Sequence, residues 1–265
     1  MGQPTVIPGS ICDVLRSSIT GREYEVSVWR PAFAPLGPLP VVVVTDGNLM
    51  FPLATSTVPL LVFSGEMPPA IVVGVGYPTT DLAAIMDMRG GDLVPVRGDD
   101  TAGASGFFRF ISEELWPWLS ATYELGEDRT LFGDSLGGLF ALHTLLNHHG
   151  FFRRYIIVSP AIVVDPDGCD ADVARLATER AELDAVVLLA AGADEHIVSH
   201  TLPPELRAAF EGLDMVRHTQ RVGSALAAGS HPGLRLTTSV VADQVHATMP
   251  FALMATGLRH VFASS

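Results

Sequence analysis

The chain of 265 residues contains no lysine; all 16 of its basic side chains are arginines. That absence rules out chemistry built on a lysine of this chain, such as a Schiff base, a pyridoxal phosphate anchor, a Walker phosphate lysine or a Ser-Lys dyad. Cysteine is almost as scarce. Cys12 and Cys169 are the only two, too few for a disulfide scaffold or a zinc cage, and no CxxC occurs. Long apolar runs are also missing. Mean hydropathy is +0.34, yet no stretch reaches the ~18 uninterrupted apolar residues of a spanning helix, so no membrane is expected as a partner. Positive charge is in deficit, with 29 acidic against 16 basic side chains and a net charge of −13. With no basic stripe either, nucleic acid is excluded as a partner. The opening MGQPTVIPGS lacks the basic stretch and apolar core of a secretory leader, which leads us to expect a soluble cytoplasmic protein.

What is present is apolar and regularly spaced. Forty-eight per cent of residues are hydrophobic, ample for a buried core, and no repeat or Pro/Gly/Ser linker divides the chain, so residues 1–265 are expected to form one domain. Asp13–Arg30 alternates polar and apolar residues around Thr20-Gly21-Arg22, a hairpin pattern. Val41–Val44, Ala70–Gly76, Arg129–Phe132, Tyr155–Val158, Ala185–Ala191 and Leu234–Val241 read as strands. Ser105–Ala121, Leu136–His148, Ala171–Leu183, Pro203–Arg217 and Met249–Phe262 read as helices. Such alternation predicts an α/β fold, with a mostly parallel sheet covered on both faces.

The sharpest motif is Gly133-Asp134-Ser135-Leu136-Gly137, a G-x-S-x-G between a predicted strand and a predicted helix. In that setting the serine sits at the apex of a strained turn with its Oγ exposed, and the glycines admit a close return of the chain. A serine hydroxyl is a weak nucleophile and needs a base oriented by a carboxylate. In this kind of site the acid follows a later strand and the base comes last in the chain. Gly192-Ala193-Asp194-Glu195 lies after the strand at Ala185–Ala191, and the three-residue spacing from the glycine selects Glu195, with Asp194 kept as its alternative. Of nine histidines, His246 alone falls between the last predicted strand and the last helix.

His143, His148 and His149 belong to the helix after the serine and read as packing or solvated residues. His196 and His200 have the four-residue spacing of metal ligands, but no HExxH completes them, so no metal site is assigned. The two amide donors of an oxyanion hole would be Leu136, next to the nucleophile, and Asn48 in the turn Thr45-Asp46-Gly47-Asn48, where Gly47 is expected to let the peptide turn inward. Apolar segments Leu49–Val62 and Leu82–Met88 offer either a hydrophobic substrate pocket or ordinary core.

With these residues on the page, the chain resembles the serine esterases of the α/β-hydrolase superfamily that include the enterobactin and salmochelin (siderophore) esterases, distantly related to the esterase D and mycolyltransferase groups. The likeness runs from about Asp13 to Phe262. It is carried by VVVVTDGN, RGGDLVP, LFGDSLGGLFALHTLL, FFRRYIIVSPAI, GADE and VHATMPFALMATGLRHVF. It implies an α/β-hydrolase fold, Ser135 as nucleophile, His246 as base, Asn48 and Leu136 as oxyanion donors, no cofactor, and a small-molecule ester as substrate. Transfer of the acyl group to an alcohol or thiol, or a catalytically silent binding role, stays open beside hydrolysis. Asp134 departs from the family, which often has His there. Arg89 and Asp92 match a loop near the family's cleft, where they either orient substrate or, the favoured reading, pair with each other and hold the loop. Arginines scattered without a cluster favour a neutral, hydrophobic ester over a highly anionic one.

Overall fold

The computed structural model describes residues 7–179, 182–202, 204, 207, 208 and 212–263. Eight strands form one sheet in the order β1-β2-β4-β3-β5-β6-β7-β8. β1 (Ser10–Arg16) and β2 (Glu23–Trp29) make the expected antiparallel hairpin, and β2 joins β4 (Ile71–Gly76) antiparallel. From there β3 (Leu39–Thr45), β5 (Leu125–Asp134), β6 (Arg154–Val158), β7 (Ala185–Gly192) and β8 (Leu234–Val241) run parallel to β4.

Among the described residues the helices with defined bounds are α1 (Gly47–Phe63), α2 (Leu82–Leu93), α3 (Gly103–Arg109), α4 (Trp116–Ser120), α5 (Leu136–Asn147), α6 (Pro166–Glu179), α7 (Met215–Ala228) and α8 (Met249–Ala263). A π-helical turn, Phe110–Leu115, joins α3 to α4, so the expected helix over Ser105–Ala121 is continuous. The helix expected at Pro203–Arg217 falls largely outside the described residues. The described helix in this region begins at Met215, after a turn, and its apolar face (Met215, Val222, Leu226) is the one buried.

Central strands buried on both faces explain the runs of β-branched residues. Alternate side chains point to opposite sides of the sheet. Val41 and Val43, Tyr155 and Ile157, Val187 and Leu189 enter one core with α3, α5, α6 and α7. Val42 and Val44, Ile156 and Val158, Val186 and Leu188 enter a second core with α1 and α8. Each such side chain removed from water contributes about 1.5–3 kcal/mol. This settles the role of Leu49–Val62: Met50, Phe51, Ala54, Val58 and Leu61 are core residues of α1, and Leu49 alone in its first turn is strongly exposed. Among the described residues no helix is long and apolar enough to cross a membrane.

Candidate active site

Every parallel strand delivers its carboxyl end to the same rim of the sheet. Ser135 follows β5, Glu195 follows β7 and His246 follows β8, three positions separated by up to 111 residues and gathered at one edge. The turn from β5 to α5 is held in an uncommon conformation: Ser135 has φ 58° and ψ −115°, outside the regions an L-residue normally adopts. Its N–H donates to Val158 O at 3.0 Å, and its own carbonyl accepts from Leu139 N–H at 2.9 Å and Ala161 N–H at 3.0 Å. The flanking glycines are required by space. A Cβ on Gly133 would overlap the carbonyl of Gly137, and one on Gly137 would overlap Thr45 Oγ1. The second overlap also shows that the serine turn sits directly against the β3–α1 turn.

At that β3–α1 turn Asp46 has φ 54° and Gly47 opens the helix. Gly47 therefore serves a different need from the one expected of it. The turn is made by Asp46, and a Cβ on Gly47 would come within 2.7 Å of the β4 backbone at Gly74. The Asn48 side chain clamps the same place, donating to Tyr77 O at 2.9 Å and accepting from Tyr77 N–H at 2.9 Å. Leu49 and Met50 N–H both donate to Asp46 O, so the amide of Asn48 lies ahead of the first intrahelical bond of α1. Leu136 lies likewise ahead of Leu139, whose N–H makes the first bond of α5.

Glu195 and His246 meet. Nδ1 of the ring and Oε2 of the carboxylate are 2.7 Å apart. The other carboxylate oxygen, Oε1, accepts Gly192 N–H at 2.6 Å and the Ser159 hydroxyl at 2.6 Å. Glu195 is buried, whereas Asp194 uses its backbone N–H to bridge to Gln244 O at 3.0 Å. That bridge, with Ala193 N–H to Val241 O at 2.8 Å, sews the β7 loop to the β8 loop and sets the pair's spacing.

The electrostatic surroundings are acidic. Burial lowers the affinity of His246 for a proton, but its hydrogen bond to Glu195 and the charges of Asp134 and Glu195 outweigh that and hold its pKa above the usual histidine value. Asp134 is pushed up to about 7, mainly by desolvation, with Asp46 and Glu195 adding to the effect and His246 and Arg89 opposing it. Its Oδ1 is shielded from solvent without a hydrogen-bond partner among the described residues.

Arg89 and Asp92 do not pair with each other as expected. Arg89 forks onto Asp46, Nε to Oδ1 at 2.5 Å and Nη2 to Oδ2 at 3.0 Å. Asp92 points away to the hairpin, accepting from Tyr24 Oη at 3.2 Å and lying 3.4 Å from Arg22. The two side chains are three residues apart on α2 with separate partners, and burial pushes the Asp92 carboxyl up to about 6. His143 is a packed residue, bonded to Ser105 Oγ at 3.1 Å, with burial lowering its pKa to about 4. No group of three or more His, Cys, Asp or Glu side chains arranged to hold a metal occurs among the described residues.

Two clefts flank the Glu195–His246 pair. One, about 460 Å³, is walled by Ile197, Val198, Leu202, Val245 and Ala247. The other, about 430 Å³, is lined by Ala193, His196, Leu213, Asp214, Met215 and Val216. The apolar walls next to the site thus come from the loops after β7 and β8 and from the start of α7, and neither α1 nor α2 contributes to them. Ser159, the Arg89–Asp46 fork and these walls escaped sequence reasoning, because each is a contact between segments far apart in the chain. For Ser159 the sole signal was its place just beyond a buried strand, in Val158-Ser159-Pro160.

A mostly parallel sheet with a strained Gly-x-Ser-x-Gly turn at its carboxyl rim, followed by an acid and then a histidine from later loops, is the architecture of the α/β-hydrolase class. The chain belongs to the Esterase family, described as "Putative esterase", whose model matches residues 17–218. It is 34% identical over 175 residues to the ferri-bacillibactin esterase BesA of Bacillus subtilis, a match covering 59% of this chain and 60% of BesA. It is 31% identical over 157 residues to the siderophore triacetylfusarinine C esterase of Aspergillus fumigatus, covering 54% of this chain and 52% of that one. The chain thus spans less than two thirds of the length of these curated relatives. Among solved structures, the BES protein from Bacillus cereus superposes with a TM-score of 0.81 at 29% identity, covering 98% of this chain and 97% of that one. The siderophore hydrolase EstA from Aspergillus nidulans shares the fold, with a TM-score of 0.84 at 22% identity and coverage of 100% and 99%.

Proposed function

We propose that the protein is a serine carboxylesterase that hydrolyses a small, neutral, hydrophobic ester through an acyl-enzyme on Ser135. The observation that carries this reading is the 2.7 Å contact between His246 Nδ1 and a buried Glu195, at the rim where the strained Ser135 also emerges. A carboxylate bound at Nδ1 fixes the neutral ring in the tautomer whose Nε2 is the proton acceptor. Ser135 Oγ attacks the ester carbonyl while Nε2 takes the hydroxyl proton. The negative charge on the carbonyl oxygen is met by the amides of Asn48 and Leu136. His246 then returns the proton to the departing alkoxide, and water, deprotonated by the same nitrogen, releases the acid. Imidazolium forms twice in this cycle, and the anionic carboxylates around the ring stabilise it each time.

Two features support a neutral, hydrophobic substrate. The cleft walled by Ile197, Val198 and Leu202 adjoins His246, and the arginine near the site, Arg89, is committed to Asp46. A second reading, hydrolysis of a siderophore ester, is favoured by the names of the relatives. Hydrolysis of p-nitrophenyl esters of graded chain length, beside a ferric trilactone, separates the two. The first reading expects kcat/KM to rise with chain length and to exceed that for the ferric complex. Ser135→Ala is expected to lower kcat by about 10⁴ or more on every substrate; hydrolysis that survives it would reject both readings.

A further inference from the structure

Ser159, the first residue beyond β6, is fully buried. Its backbone lies at φ 41°, a left-handed conformation that glycine adopts freely and that a Cβ disfavours. By backbone alone this is a glycine position. What serine adds is one hydroxyl, and that hydroxyl donates to Glu195 Oε1 at 2.6 Å. The same oxygen accepts Gly192 N–H at 2.6 Å. Two donors on Oε1 leave Oε2 to face His246 Nδ1, at 2.7 Å. A glutamate side chain has three rotatable bonds, and a carboxylate held at one oxygen by donors from two different strand ends loses the freedom to turn away. Ser159 is itself anchored, its N–H donating to Ala190 O at 2.7 Å.

We propose that Ser159 is a positioning residue, whose hydroxyl locks the Glu195 carboxylate in the orientation that presents Oε2 to His246, and that the backbone strain at this position persists because the hydroxyl is needed there. The role rests on the reading of Glu195 as the acid that orients the base. The charged groups facing His246 are Glu195 from the β7 loop, Asp134 from the end of β5 and Arg89 from α2. Of these, Ser159 touches Glu195 alone.

Two variants separate the hydroxyl from the strain. Ser159→Gly removes both, and Ser159→Ala removes only the hydroxyl. In the full chain, Ser159→Gly is expected to melt at or above the wild-type temperature, yet to lose about tenfold or more in kcat, the worth of a buried hydrogen bond to a charged group. KM for a p-nitrophenyl ester stays within about twofold, since the hydroxyl does not reach substrate. The low-field proton resonance of the His246 Nδ1–H shifts or broadens in both variants. The acid limb of kcat moves to lower pH, because the ring loses part of the carboxylate interaction that raises its pKa. Loss of kcat without any change in resonance or limb would assign Ser159 a purely structural role and overturn the proposal, as would wild-type kcat in Ser159→Gly. The Nδ1–H resonance is read without turnover. Hydrolysis that persists in Ser135→Ala therefore rejects the reading of the site while leaving the positioning role to stand or fall on the spectrum.

Discussion

Between β5 and α5 the site is built from backbone: a serine held at φ 58°, glycines that leave no room for a Cβ, and amides bonded to neighbouring strands within a few residues. Between β7 and α8 the same rim is built from side chains. A carboxylate and an imidazole 51 residues apart are joined by one hydrogen bond, and a serine from a third loop completes the hold. The first half gains its geometry from local sterics and tolerates no added atom. The second tolerates change in the chain around it and depends on a few polar contacts, each replaceable at a measurable cost. A backbone-built half should respond to substitution in stability, and a side-chain-built half in rate and pH dependence.

The largest effect expected on this division is in the side-chain half. Glu195→Gln keeps the shape but removes the charge and the acceptor that fixes the tautomer of His246, and kcat should fall on the order of 10²–10⁴ with the fold intact. Asp194→Asn, one residue away, should leave kcat near wild type. Steady-state kinetics on both would break the assignment if their ranking were reversed. Next comes Gly133→Ala in the backbone half, where the new Cβ overlaps the Gly137 carbonyl. Unfolding in urea should show a loss of about 3 kcal/mol or more, or no folded protein at all. Wild-type stability would show that the turn has slack and that the contrast is false.

The smallest and most diagnostic effect belongs to Asp134, where the two halves touch. Its charge helps to raise the pKa of His246, so Asp134→Asn should lower that pKa and move the acid limb of kcat/KM downward by less than about one pH unit. The folded-state pKa of Asp134, about 7, lies above its ordinary 3.8. Folding therefore opposes its ionisation, and wild-type stability should decline as pH rises from about 4 through about 7, a decline that the asparagine variant lacks. Parallel denaturation curves for the two proteins across that window would contradict the burial of this carboxyl.

The same division explains what could be read in the sequence. The α/β alternation, the hairpin around Gly21 and the strand–Ser135–helix unit are local, and hydrophobic period and glycine spacing expose them directly. Distance from Gly192, a local rule, selects Glu195 over Asp194, whereas its 2.7 Å contact with His246 joins two loops that no local rule connects. Contacts between distant segments left no such trace. Arg89 and Asp92 look like partners because they are near in sequence, yet α2 directs one to the β3 turn and the other to the hairpin. The apolar run of α1 reads equally as pocket or core in the sequence, and its buried side chains fill the core.

Arg154 lies almost wholly buried on β6, forked onto Asp128, stacked over Phe262 and bonded to the carbonyl of Val261 near the end of α8. The first turn of that helix follows immediately on the short 3₁₀ turn carrying His246. A rigid rod pinned at its far end lets the near end swing less, so the imidazole is borne on a tethered lever. Slackening the tether at residue 154, far across the molecule from any ester, would blur where the ring stands without altering a single atom around it.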